Sequence, residues 1–521
     1  MDTFDIERKG KNAMDAFREH RQITKKIAKT LKWTDVYNWL IKHGYFPESY
    51  VLPPCFKVTK WPPKPRLFFK VNKQRFSPKL IPSMCCNVHF PKTELTDRNF
   101  GIIHPEIHND IAYHIARNWK ALVDCLIPKE SDVTCYSFPV PINSAHPGRV
   151  GYLRSGRMIY EFLSMTEVDL TSVAYKYTHI LRADIRNFYP SIYTHSISWA
   201  IHGKKSIRRA KRRWDLSLLG NRLDRLFQCA NDQKTNGIPI GPAVSDITAE
   251  LIAAGVDQEL TKAIRKNKID CEMTRFKDDY RILVKNEEDG HRIVKLLQAA
   301  LKCYELELAD DKTSILELPI GLFRPWVSAY HAAYPIKRSR FHWKDFRELY
   351  LAVIRIDEQH PGTGIIDRFL ADIISKKGRL KVDLTARNLQ KTMSMLIMLG
   401  NRRLKSFPKI LAIIESILRS PLGQMNSDAI TAYLNSYLQH LSVDEPRNTY
   451  IISWISYFMT SNNLKTKLKF KPKYKDPITR SVYNNRATIF KTTKDFRLFE
   501  GCRKTGNAHS MLDYLDVFNP P

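Results

Sequence analysis

Met273-Thr-Arg-Phe276-Lys277-Asp278-Asp279-Tyr280-Arg-Ile-Leu-Val284 places two adjacent carboxylates between two apolar arms. Arms rich in strand-forming residues around a short polar break predict a β-hairpin with the acids at its turn. Neighbouring acids on a turn repel, and both stay ionised only where a cation offsets them. Upstream, Tyr177-Thr-His-Ile-Leu-Arg-Ala-Asp184-Ile185 reads as a strand that ends in an aspartate. Pro190 follows closely and suits the first turn of a helix, so Asp184 is delivered to a cleft rather than to the core. Three acids from two strands can hold a pair of Mg²⁺ ions on oxygen ligands, with Mn²⁺ as the alternative metal. Two such ions about 4 Å apart activate a hydroxyl and stabilise a leaving pyrophosphate. In isolation, a solvated Asp-Asp turn fits the hairpin equally well, and companion motifs must decide.

Those companions lie on either side. The stretches are Ala183-Asp184-Ile185-Arg-Asn-Phe188-Tyr189-Pro-Ser, Asn236-Gly-Ile-Pro239-Ile240-Gly241-Pro-Ala-Val-Ser245, Phe276-Lys-Asp278-Asp279-Tyr and Leu308-Ala-Asp-Asp-Lys312-Thr. In order and spacing they resemble motifs A, B, C and D of reverse transcriptases. The resemblance implies an α+β fold with the fingers and palm of a right-hand polymerase. It further implies that Asp184, Asp278 and Asp279, with the backbone of Ile185, bind metal. Phe188, Tyr189, Pro239, Ile240 and Gly241 would line the nucleotide. A ring at Tyr189 would clash with a 2′-hydroxyl, which selects deoxynucleotides; a packed core tyrosine is the other reading. Lys312 would reach the triphosphate or pyrophosphate as a cation or as a proton donor, unless it is an ordinary solvated lysine. Arg154 and Arg157, around Gly156, stand where family members hold the triphosphate. Ile240 departs from the glutamine usual in motif B, so hydrogen bonding near the incoming sugar differs.

Composition agrees with a polyanion partner. Lys plus Arg number 84 against 53 Asp plus Glu, a formal net charge of +31. A field of that size attracts nucleic acid. The nine cysteines show no C-x-x-C spacing, which argues against a zinc site or a disulfide framework. No apolar run approaches the roughly 18 residues needed to span a bilayer, and the charged start lacks a signal-like core. A bacterial cytoplasmic protein without membrane attachment is expected.

The pattern divides the chain into 1–170, an N-terminal region with the fingers; 171–335, the palm; 336–460, a helical array; and 461–521, a basic segment. Apolar residues at i, i+3 and i+4 predict helices over Phe346–Ile356, Gly364–Ser375, Leu384–Leu399, Phe407–Leu418 and Ser427–Leu441. Gly44-Tyr45-Phe-Pro-Glu-Ser-Tyr50-Val-Leu-Pro-Pro-Cys-Phe56 and Thr194-His-Ser-Ile-Ser-Trp-Ala-Ile-His-Gly-Lys204 look like the bacterial abortive-infection and defence-associated reverse transcriptases. That group replaces the thumb with helical repeats, acts in phage defence and assembles as homo-oligomers, here expected as a trimer or hexamer. Some members prime DNA from their own tyrosine without a template, and others copy a noncoding RNA. Tyr45, Tyr50 and Tyr514 are the candidate primers. The expected partners are dNTPs and nucleic acid, either a noncoding RNA or the enzyme's own DNA product. Three basic stretches, Lys204–Trp214, Lys337–Trp343 and Lys465–Lys475, are placed to grip such a strand, the last as an extended arm offering Phe470 and Tyr474 for stacking. A catalytically silent RNA-binding scaffold is the rival from another class.

Overall fold

The computed structural model describes residues 16–62, 69–72, 75–78, 83–91, 97–142, 166–209, 211–375, 378–469, 472–487, 489–490, 495–503 and 511. Two compact units emerge, and they interleave along the chain. The first comprises 1–47, 61–87 and 100–323; the second comprises 48–60, 88–99 and 324–521. Two short N-terminal stretches join the helical C-terminal unit, a pairing that no local pattern announces.

The first unit is built on a five-stranded sheet of β1 (Val133–Cys135), β2 (His179–Asp184), β3 (Cys271–Phe276), β4 (Asp279–Val284) and β5 (Ser314–Glu317). The strand order is β5-β2-β4-β3-β1, antiparallel except for the β1–β3 pair. Ile180 and Leu181, successive residues on opposite faces of β2, are both fully buried, so each face of the sheet is covered. On one face Ile180 and Leu283 pack with Phe17, Tyr136, Leu170, Val173 and Leu322. Helices α1 (Leu219–Ala230), α2 (Ala243–Asn267) and α3 (Glu287–Lys302) complete this unit's core. Asn286 caps α3 by accepting the Asp289 amide, and three acids in the first turn suit its dipole. Close packing of α2 is made possible by Gly255, where a Cβ would fall 2.4 Å from the Tyr304 hydroxyl.

The second unit is helical, as the periodicity predicts. Helices span Trp343–Gln359, Ile365–Asp372, Ala386–Arg402, Phe407–Leu418 and Ser427–Leu441. A further long helix, Glu445–Ser461, carries no amphipathic signal because Tyr450 to Met459 are buried on every side. The basic C-terminal segment is not the free extended arm expected. Lys467 and Lys469 donate backbone N–H groups to Asn435 and Gln439, and Tyr474 is buried with its hydroxyl on Ser442. Tyr474 is thus a packing residue, not a stacking platform, while Phe470 lies outside the described residues. Beyond it, Pro477–Tyr483 forms a helix and Arg497–Phe499 a strand paired with Phe56–Lys60. No helix among the described residues is long and apolar enough to cross a membrane.

Candidate active site

Strand register brings the acids together. In the antiparallel ladder between β2 and β4, Asp184 stands opposite Asp279, and β3–β4 pairing sets Phe276 opposite the same Asp279. Lys277 and Asp278 are thus the two turn residues, and Lys277 takes a left-handed φ of 55°. The Ile185 amide donates to the Asp278 carbonyl at 3.2 Å, so its backbone faces the acidic turn while its side chain stays buried. Residues 307–309 close the other flank, with Arg186 N–H on Glu307 O and Ala309 N–H on Asp184 O, both at 2.8 Å. This second contact carries Lys312 to Asp184, where its Nζ donates to Oδ2 at 2.5 Å.

The electrostatics are those of an anionic pocket short of cations. Desolvation, then the Asp184 charge, push the Asp278 carboxyl above its usual range. Asp279 is pushed up to about 6, chiefly by desolvation and against the pull of Arg281. Asp184 Oδ1 is buried with no hydrogen-bond partner in the described residues. A buried orphan acceptor costs about 1–3 kcal/mol, and a divalent ion is one group that would satisfy it. The donor chemistry therefore fits Mg²⁺. Among the described residues no three His, Cys, Asp or Glu side chains enclose an ion by themselves. An ion here would complete its shell with backbone, water and phosphate oxygens.

The hairpin is braced from behind by groups absent from the sequence reading. Arg275, fully buried on β3, forms ion pairs with Glu250 at 2.5 Å and Asp257 at 2.8 Å, both on α2. The same guanidinium donates to the Lys277 carbonyl at 2.7 Å, while Ser137 Oγ accepts the Lys277 amide at 2.7 Å. Tyr280, next to the acids, gives its hydroxyl to Asp257 at 2.8 Å. The left-handed turn is thus fixed at both ends of its peptide. A signal existed in sequence: Glu250 and Asp257, two helical turns apart, fall on one face of the helix, and Glu250 is the one charge between Ile247 and Val256.

Tyr189 is partly buried, and its hydroxyl donates to Asp246 in the first turn of α2 at 2.7 Å. Burial, then Asp246, push this phenol well above its usual range, so it stays neutral. Phe188 is buried edge-on against it. The loop before α2 is stitched to the turn after Asp184, with Gly237 N–H on Ile192 O and Ile238 N–H on Tyr189 O. Pro239 and Gly241 are buried and Ile240 is half-buried. Ile240 O accepts the Gly101 amide at 2.8 Å. Gly241 adopts a φ of 124°, and a Cβ there would lie 2.9 Å from Pro47. The Gly44–Pro47 stretch accordingly packs beneath this loop.

The candidate primers separate by burial. Tyr45 is fully buried, its hydroxyl on the Ile103 carbonyl at 2.7 Å and its phenol pushed far up by burial. It could meet a nucleotide only by leaving the core. Tyr50, in the second unit, is half-buried with the Lys405 ammonium 4.4 Å from its ring. Arg154, Arg157 and Tyr514 lie outside the described residues.

A mixed sheet thus sets an aspartate at a strand end opposite an Asp-Asp hairpin, with a long helix behind it. Residues 145–343 match the family model described as reverse transcriptase (RNA-dependent DNA polymerase). Among solved structures the chain is similar to apo telomerase from Candida tropicalis, at 10% identity over 72% of this chain and 69% of that one, with a TM-score of 0.32. A form of that telomerase truncated from its C-terminal domain is 12% identical over 47% of this chain, with a TM-score of 0.31. The chain covers 52% of that truncated telomerase, about half its length. Candida albicans telomerase, in complex with a fragment of telomeric RNA, is 10% identical over 58% of this chain and 53% of that one, with a TM-score of 0.24. No curated protein matches the chain.

Proposed function

We propose that this protein is a reverse-transcriptase-like DNA polymerase that joins deoxynucleotides by a two-metal mechanism, works with an RNA partner and serves in anti-phage defence. The observation that carries the chemistry is the cross-strand pairing of Asp184 with the Asp278-Asp279 hairpin beside an orphaned carboxylate oxygen. Asp184, Asp278 and the backbone of Ile185 would hold the ions, with Asp279 at the rim. When bound, the ions activate the attacking hydroxyl and neutralise charge on the leaving pyrophosphate. Lys312, kept protonated by Asp184, offsets phosphate charge at the same edge. Tyr189, anchored by Asp246, offers a fixed ring against the sugar and disfavours a 2′-hydroxyl. The placement in phage defence, and an oligomeric state of three or six copies, rest on the likeness of residues 44–56 and 194–204 to defence-associated enzymes. A second reading, synthesis primed by a tyrosine without template, is favoured by Ile240 in place of the usual glutamine.

The test is incorporation of labelled dNTPs by purified protein with Mg²⁺, beside an Asp278→Ala, Asp279→Ala double variant. Incorporation by the wild type alone is expected; equal, background-level labelling of both would remove the enzyme reading in favour of a silent RNA-binding scaffold. RNase treatment beforehand separates the modes. Loss of synthesis implies an RNA template, whereas unchanged product linked to protein implies self-priming.

A further inference from the structure

Next to Glu307, on the flank of the acidic site, the first unit opens a basin of about 1350 Å³ whose walls include Tyr193, Trp199, Arg208, Arg213, Trp214 and Asn236 but none of Asp184, Asp278 and Asp279. It lies beside the basic stretch Lys204–Trp214, which carries seven Lys or Arg residues and no acid. Among the described residues none of Lys205, Arg208, Arg209, Lys211 and Arg213 forms an ion pair. Most of this charge is therefore open to a ligand. The segment bearing it is also braced. Asn221, on α1, donates to the carbonyls of Arg212 and Asp215 at 2.9 and 2.8 Å. Its neighbour Arg222 holds the carbonyls of Leu216 and Ser217 at 3.1 and 3.0 Å. On this braced loop Trp214 is 75% exposed, with the Arg213 guanidinium 5.2 Å from its ring. Lys204 and Arg208 lie over Trp199, 4.0 and 5.5 Å from its ring.

We infer that this basin is a binding site for single-stranded RNA, separate from the catalytic acids, in which Trp214 stacks an unpaired base and Arg208 and Arg213 hold flanking phosphates. Exposed indole beside guanidinium is poor packing for a monomer surface, but it is what an unstacked base with its phosphate requires. The acidic groups nearby mostly do not oppose this. Asp224 is tied to His195 at 2.5 Å, and Glu305 to Lys204 at 3.3 Å. Glu307 and Asn236 remain exposed on the rim. Both can accept from a 2′-hydroxyl, which RNA carries and DNA lacks, and this favours RNA. The inference rests on the polymerase reading only for the choice of nucleic acid over another polyanion.

Fluorescence anisotropy with a labelled unstructured RNA of about a dozen nucleotides tests it, using the full chain after nuclease treatment and high-salt washing. Trp214→Ala is expected to weaken binding about tenfold, with Trp214→Phe retaining most of the affinity. Arg208→Glu with Arg213→Glu should weaken it further and flatten the salt dependence by more than one unit of log–log slope. Unchanged melting temperatures are expected, since all three side chains are exposed. RNA affinity equal to wild type in both Trp214→Ala and the arginine pair would overturn the site. Equal or tighter binding of the same DNA sequence would overturn the choice of RNA. dNTP incorporation by the wild type is measured alongside: RNA binding that needs Trp214 with no incorporation would leave the site standing and remove the polymerase reading, so the two fail separately.

Discussion

Lys312 shows how one side chain's work can be read from its partners. Its ammonium is already donated to Asp184, a bond that raises its pKa above the ordinary lysine value. A group held protonated in this way would act through its positive charge rather than by giving up a proton. Lys312→Ala should lower the rate of nucleotide incorporation by about a hundredfold or more. Lys312→Arg, which keeps the charge but does not release a proton, should recover most of that loss. Single-turnover incorporation compares them; an arginine variant as slow as the alanine one would return the role to proton transfer. Lys312, Asp184, Asp278 and Asp279 were singled out by motifs in the sequence, and the fold brings Lys312 to Asp184. Asp246 was not, because a first-turn acid is ordinary at any helix start, and only the folded chain brings it to Tyr189.

At the scale of elements, the acidic hairpin depends on a buried charge cluster behind it. Arg275 offsets two carboxylates, Glu250 and Asp257, in a site closed to water, and it also grips the Lys277 carbonyl. Removing the cation strands two buried anions, a change that costs about 3–5 kcal/mol. Arg275→Met should therefore lower the urea unfolding midpoint sharply, and Arg275→Lys should lower it less. Arg275→Lys should still impair incorporation, because a single ammonium cannot reproduce the guanidinium's several bonds. A lysine variant with full activity would show that the Lys277 contact positions nothing. The strand ending in Asp184, the Asp-Asp hairpin and five helices of the second unit were readable from period and punctuation. The helix Glu445–Ser461 was not, since burial on all sides erases the amphipathic signal. Nor were the contacts by which the side chains of Asn435, Gln439 and Glu445 capture the backbone amides of Lys467, Lys469 and Lys475.

For the whole molecule, the consequential feature is the interleaving of the two units, which sequence patterns could not show because it depends on contacts hundreds of residues apart. Residues 48–60 and 88–99 belong with the C-terminal helices. Phe56 packs on Phe499 at 5.4 Å between ring centres, and Phe90 on Tyr450 at 4.9 Å. The Tyr450 hydroxyl donates to the Tyr50 carbonyl at 2.6 Å, and the Glu500 amide to the Cys55 carbonyl at 2.8 Å. Val51, Leu52, Cys55, Phe56 and Phe90 are all buried. A chain cut after Phe323 keeps these residues but loses what covers them, and each large apolar side chain so exposed costs about 1.5–3 kcal/mol. The 1–323 fragment, although it holds Asp184, Asp278 and Asp279, should therefore aggregate or melt well below the intact protein. The 324–521 fragment, which lacks both inserts, should fare no better alone. Size-exclusion chromatography and circular-dichroism melts of the two fragments decide the matter. A monodisperse 1–323 fragment with an intact-like melting temperature would mean that the inserted stretches are decoration, and that polymerase and helical units fold independently.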